Sequence, residues 1–112
     1  HGHIGRLGLS VGSLPVVLPV NYLLQDHTIV FRSEDGDKTR AAELGSVACL
    51  EIDHFDLFEH SGWSVLATGR LSIAPNDRAA VYDRLPVVPW ALQQSSRFVE
   101  LSVELVSGRS IR

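Results

Sequence analysis

The chain has 112 residues. A compact fold of about that size exposes roughly 6,100 Å² and hides about two-thirds of the extended chain's surface, enough for one core and too little for two domains. With 45% hydrophobic and 21% charged residues the composition is globular, not disordered. No run reaches the ~20 apolar residues of a membrane span. A net charge of −3, from 10 Lys+Arg against 13 Asp+Glu, gives no basic field for nucleic acid. The single cysteine, Cys49, excludes an internal disulfide and a multi-cysteine metal site and fits a reducing, cytoplasmic setting.

Taken in chain order, period-two alternation dominates. Leu7, Leu9 and Val11 alternate with small or polar residues as a first strand, and Gly12-Ser13 turns the chain. Leu14 to Leu24 reads as a second strand, in which Pro19 demands an edge, a bulge or a bend. Asp26-His27 is a hairpin turn and Thr28 to Ser33 a third strand. Asp37 is expected to cap a short helix running from Lys38 to Leu44, with Gly45 as its stop. Ser46 to Asp53 is the fourth strand, with Cys49 packed in the core. His54 to Gly62 reads as an aromatic, acidic loop, and Trp63 to Ile73 as a fifth strand. A short helix starts at Pro75-Asn76-Asp77 and runs to about Leu85. Pro86 to Ser96 is a proline-interrupted loop holding Trp90. In the last strand, Phe98 to Val106, Val99, Leu101, Val103 and Leu105 share one face, and Glu100, Ser102 and Glu104 share the solvent face.

Hairpin-sized links make the sheet mainly antiparallel. Six such strands with two short helices close most economically as a barrel, a sandwich being the competing architecture.

One segment carries chemistry: Phe31-Arg32-Ser33-Glu34-Asp35-Gly36-Asp37-Lys38-Thr39. A strand ends in Arg-Ser, and a helix opens on Lys-Thr after a glycine-containing loop. A guanidinium fork, the chain's only lysine and two hydroxyls form a candidate anion cradle. The competing account is a solvated loop whose cations pair with Glu34, Asp35 or Glu43.

With those residues in view, the chain resembles the FMN-binding split-barrel proteins related to pyridoxamine 5′-phosphate oxidase, and among them the small actinobacterial-type members. The likeness rests on Gly5-Arg6-Leu7, Leu18-Pro19-Val20-Asn21-Tyr22 and Ile29-Val30-Phe31-Arg32-Ser33 with Gly36-Asp37-Lys38. It continues through Val47 to Asp53, Trp63-Ser64-Val65 with Gly69-Arg70, Pro89-Trp90-Ala91 and Ser107-Gly108-Arg109. It implies a single split-barrel domain over residues 1–112 that forms a homodimer with FMN between the subunits. Arg32, Ser33, Lys38 and Thr39, beside Phe31, would hold the phosphate. Pro19, Val20, Asn21 and Tyr22 would run beneath the isoalloxazine ring, and Trp63 and Trp90 would close the site, from the partner subunit. The implied activity is flavin-dependent oxidoreduction of a small molecule.

Two alternatives share the barrel: a deazaflavin-dependent reductase with Arg40, Arg78 or Arg84 along a groove, and a non-enzymatic flavin- or haem-binding module. The five histidines give no helix-spaced metal pair, so no metal is expected. Arg6 and Arg70 read as rim residues.

Overall fold

The computed structural model describes residues 3–34, 36–85 and 97–111. Six strands appear in chain order: β1 (His3–Val11), β2 (Leu14–Gln25), β3 (Thr28–Ser33), β4 (Val47–Asp56), β5 (Ser61–Ile73) and β6 (Arg97–Ile111). Helix α1 (Asp37–Glu43) follows β3, and α2 (Asn76–Tyr82) follows β5. The strands form a closed barrel in the order β1-β2-β3-β6-β5-β4, every neighbouring pair antiparallel, which excludes the sandwich. The seam is narrow, since β1 and β4 pair only at Arg6–Glu51, Leu7–Leu50 and Gly8–Cys49.

Alternation decides what fills the inside. Leu7, Phe31, Leu50, Leu71, Val99 and Leu101 are fully or almost fully buried and belong to one cluster, with Leu9, Val20, Ile29, Ala48 and Ala67. The barrel interior is therefore packed side chains, as expected for so few strands. Ala41 and Ala42 carry α1 onto the same cluster. A second, smaller cluster forms where α2 lies on the outer face, joining Val30, Phe98, Ala74 and Tyr82.

The prolines of β2 sit where expected. β2 pairs with β3 only from Tyr22 to Gln25, so Leu14 to Asn21, with Pro15 and Pro19, has β1 alone as a neighbour and is an edge. Gly45 ends α1 in the left-handed region at φ 66°. Its amide bonds the Ala42 carbonyl at 3.1 Å and the Ser46 amide bonds Ala41 at 3.0 Å, the two bonds of a Schellman stop.

Five expectations need correction. The cap of α1 is Gly36, with no side-chain cap bond; Asp37 is the first helical residue, where its carboxylate still suits the helix dipole. The stretch from His54 to Gly62 is mostly ladder: β4 and β5 pair out to Asp56–Ser61, leaving a turn at residues 57–60. Asp56 makes that turn possible, its Oδ1 accepting from the Phe58 and Glu59 amides at 2.9 and 3.2 Å. Cys49 is half-buried, not core, because Ala48 and Leu50 take the inward positions of β4. Finally, the β5–β6 register jumps between Thr68–Leu105 and Gly69–Val103, so Glu104 is a bulge residue and alternation reverses beyond it. Leu105 therefore leaves the inward face and is 66% exposed. Glu100 also departs from its expected solvent position and is buried. The Pro86 to Ser96 loop, with Trp90, lies outside the described residues.

Gly69 stands at the bulge because a Cβ there would collide with the Ser102 carbonyl. Gly69→Ala is expected to destabilise the fold by at least ~2 kcal/mol, since the obstacle is backbone. Urea unfolding checks this, and a midpoint within error of the native chain would refute the steric account of the bulge.

Candidate functional site

The two basic-and-hydroxyl pairs of the cradle separate by strand geometry. Arg32 and Ser33 are consecutive on β3, so they leave it on opposite faces. Ser33 points into the barrel end and is buried, as is Thr39 from α1. Their hydroxyls lie 3.2 Å apart, and both donate to the Glu34 carbonyl, Ser33 at 2.9 Å and Thr39 at 2.7 Å. This knot ties the start of α1 to the exit of β3. In this arrangement the hydroxyl protons are committed within the chain.

Arg32 leaves on the outer face. Its guanidinium lies over the Phe98 ring, 4.8 Å from the centroid, and Nη2 donates to Asp83 Oδ1 at 3.1 Å. Phe98 is its cross-strand neighbour, which explains the stacking. The Nε–H is buried and has no acceptor. An unsatisfied buried donor costs about 1–3 kcal/mol, so the site favours an added acceptor. Lys38 is half-buried and bonds no other described residue. Among the described residues, the Lys38 ammonium and the Arg32 Nε–H at the β3 exit have no partner.

The second predicted element, Pro19 to Tyr22, is the free edge of β2. Val20 is buried in the core, Pro19 is exposed, and Asn21 and Tyr22 are half-buried. Burial pushes the Tyr22 hydroxyl above its ordinary pKa. The ring sits 5.6 Å from that of His3. Phe31 is fully buried within the barrel, so its side chain is core. Trp63, 45% exposed, lies at the far end of β5, 6.2 Å from the His54 ring. Of the arginines weighed for a deazaflavin groove, Arg78 donates from its Nε and Nη2 to Glu100 at 2.8 and 3.1 Å, and Arg40 and Arg84 are exposed. Among the described residues no group of three metal-ligating side chains occurs. No described helix is long and apolar enough to cross a membrane.

The pyridoxamine 5′-phosphate oxidase family model matches residues 1–110. The chain belongs to that family. It is 30% identical over 110 residues to an uncharacterized protein of Mycobacterium tuberculosis, covering 93% of this chain and 72% of that one. It is 25% identical to the FAD binding protein from Mycobacterium smegmatis, with a TM-score of 0.79 and coverage of 97% and 87%. A heme binding protein from the same organism shares the fold at 17% identity and a TM-score of 0.78, covering 96% of this chain and 52% of the other.

On this family barrel, sequence reasoning missed one feature, a polar cleft of about 500 Å³ beside α2. Gln25, Asp26, Thr28, Ser72 and Ser102 rim it, and Glu100 floors it. Both Glu100 oxygens are bonded, Oε2 also accepting from Tyr82 at 2.5 Å. Arg78 and Tyr82 stand four residues apart on α2, one helical turn, a spacing that could have signalled their shared partner. A shallower cleft of about 340 Å³ lies along Glu51, Leu66, Ser107 and Arg109. Arg78, weighed for the deazaflavin groove, lines the first, and none of the described residues expected to hold FMN lines either.

Burial pushes the Glu100 carboxyl up, but the Arg78 and Tyr82 hydrogen bonds outweigh it, and the group ends below the ordinary carboxylate range. Its stabilisation is therefore present above that range and lost as pH falls through it. Tyr82 is pushed up to about 12, first by burial and then by Glu100. The folded chain thus holds the proton longer than the unfolded one, and stability declines as pH rises from 10.0 towards about 12. Tyr82→Phe is expected to remove that part of the alkaline decline, read as urea midpoints against pH. Parallel curves for the two chains would contradict the Tyr82 assignment.

Proposed function

We propose that this chain is a homodimeric flavin-binding oxidoreductase, its flavin phosphate held at the β3 exit by Lys38 and Arg32. The observation that carries the reading is the Lys38 ammonium, half-buried at the β3 exit and bonded to no other described residue, with the Ser33 and Thr39 hydroxyls in the same exit. The residues present therefore fit a flavin phosphate. The free edge of β2 at Pro19 to Asn21 supplies unladdered backbone groups for the polar rim of the ring system. FMN is the cofactor assigned; FAD contains the same half and would use the same cradle.

The barrel interior is filled, so the ring must lie outside it and needs a second wall. A two-fold dimer supplies that wall and creates two equivalent sites. One observation supports it. The outer face of β2, β1, β4, β5 and β6 carries a cross-strand row of apolar and small residues, Val17, Gly8, Cys49, Thr68 and Leu105.

When bound, the flavin supplies hydride or electron transfer. The chain's own residues anchor the phosphate, orient the ring and exclude water from one of its faces. The substrate is a small molecule and the setting cytoplasmic, as the single thiol indicates.

Lys38→Ala is expected to weaken FMN binding by at least about tenfold, since a charge-assisted hydrogen bond contributes about 1.5–3 kcal/mol. Quenching of flavin fluorescence during titration measures it. An unchanged Kd in a folded variant removes Lys38 from the site and with it the main support for the reading.

A further inference from the structure

Towards the β4–β5 turn, the outer row that ends in Cys49, Thr68 and Leu105 is followed by two more rows in register. Glu51, Leu66 and Ser107 pair across β4, β5 and β6, and after them Asp53, Ser64 and Arg109. All six point outward, because they alternate with Leu50, Ile52 and Ala67, which face the core. A shallow cleft runs along all of them but Asp53. The charges are divided between the two flanking strands. On β4, Arg6 donates to Glu51 at 3.0 Å and to Asp53 at 3.1 Å, one cation against two carboxylates. Burial and then Asp53 keep the Glu51 carboxyl above its ordinary range in spite of Arg6. On β6, Arg109 is exposed and bonds no other described residue. A negative charge is left over at one edge of the face and a positive charge at the other, with Leu66, 38% exposed, between them on β5.

We propose that this face meets a second copy of the chain about a two-fold axis lying along β5, so that Asp53 faces the partner's Arg109 and Arg109 the partner's Asp53. The inference rests on the homodimer reading and fixes the surface and the pairs that make it. A two-fold axis in the contact plane and parallel to a strand exchanges the strands on either side of it. β4 then lies over the partner's β6, which sets Cys49 against Leu105 in the row of Thr68. Residues on the axis meet their own copies, Leu66 on Leu66 and Thr68 on Thr68. Apolar side chains meet apolar ones, and each leftover charge meets its opposite. An axis across the strands would instead set β4 on β4 and β6 on β6, where neither leftover charge finds its opposite. Arg70, the next outward residue of β5 after Thr68, lies about 13 Å along the strand from Leu66. It donates to the Gly45 carbonyl at 3.1 Å, clear of the centre of the contact. Charges matched in this way select the chain's own copy over barrels that lack them.

Sedimentation velocity with reversed charges tests the contact. The native chain is expected to be a dimer with and without FMN. Arg109→Glu and Asp53→Arg are each expected to weaken dimerisation at least about tenfold, because like charges then face each other across the axis. An equimolar mixture of the two folded variants is expected to form mixed dimers with an affinity within about threefold of the native value, since both facing pairs are opposite in sign again. No rearrangement inside one chain produces that rescue. Leu66→Cys in a Cys49→Ser background tests the axis without touching a charge. It meets its own copy and is expected to cross-link the dimer under mild oxidation, whereas Ser107→Cys, off the axis, is not. A folded Arg109→Glu chain that dimerises as the native one does, a mixture that stays monomeric, or no cross-link at position 66 would each overturn the proposal. A native dimer untouched by these substitutions leaves the homodimer reading standing and removes this contact. A monomeric native chain removes both, and a charge-paired dimer that takes up no FMN removes the flavin reading alone.

Discussion

The interior of this barrel is full, and most of what the molecule can do follows from that. Leu7, Phe31, Leu50, Leu71, Val99 and Leu101 meet on the axis with almost no exposure. At interior packing densities such a cluster leaves no room for a three-ring cofactor. Whatever the barrel binds must sit on its outside, at strand exits, along unladdered edges or against a second molecule. The sequence provides each of these: β3 exits into Gly36 and α1, β2 keeps a free edge where its prolines fall, and a row of apolar and small residues crosses one outer face.

Much of this was legible from the residues. The third strand is found at its read boundaries, Thr28–Ser33, because a two-residue turn precedes it and an acidic loop follows it. Closure was legible because short links force antiparallel neighbours. What alternation could not reveal was its own interruption. The Glu104 bulge leaves no mark in an unbroken alternating pattern, so Leu105 was assigned to the core. The hairpin at residues 57–60 was hidden for a related reason. Polar and aromatic residues there read as a loop, although Asp56 builds a tight turn and lets the ladder run on.

The candidate site shows the same division. Its residue types were legible: Lys38 bonds no other described residue, while Arg32 pairs with Asp83 and keeps a buried Nε–H without a partner. Its geometry was not, because adjacent residues on a strand face opposite ways. Arg32 went to Phe98 and Asp83, and Ser33 went inward to Thr39 and Glu34. Glu100 was unreadable for want of a partner within its own strand; the packing of α2 on the outer face buried it and supplied Arg78 and Tyr82. A buried carboxylate bonded on both oxygens ties helix to barrel, and breaking one side would strand a charge. That role is structural, and the proposed anion site lies elsewhere, at the β3 exit.

The central claim is that a filled barrel holds its flavin between two chains. Native mass spectrometry after incubation with excess FMN tests it most directly. The account predicts a species of two chains carrying two flavins, with Lys38→Ala dimers losing them. A single chain carrying one flavin, or flavin-free dimers throughout, would contradict it.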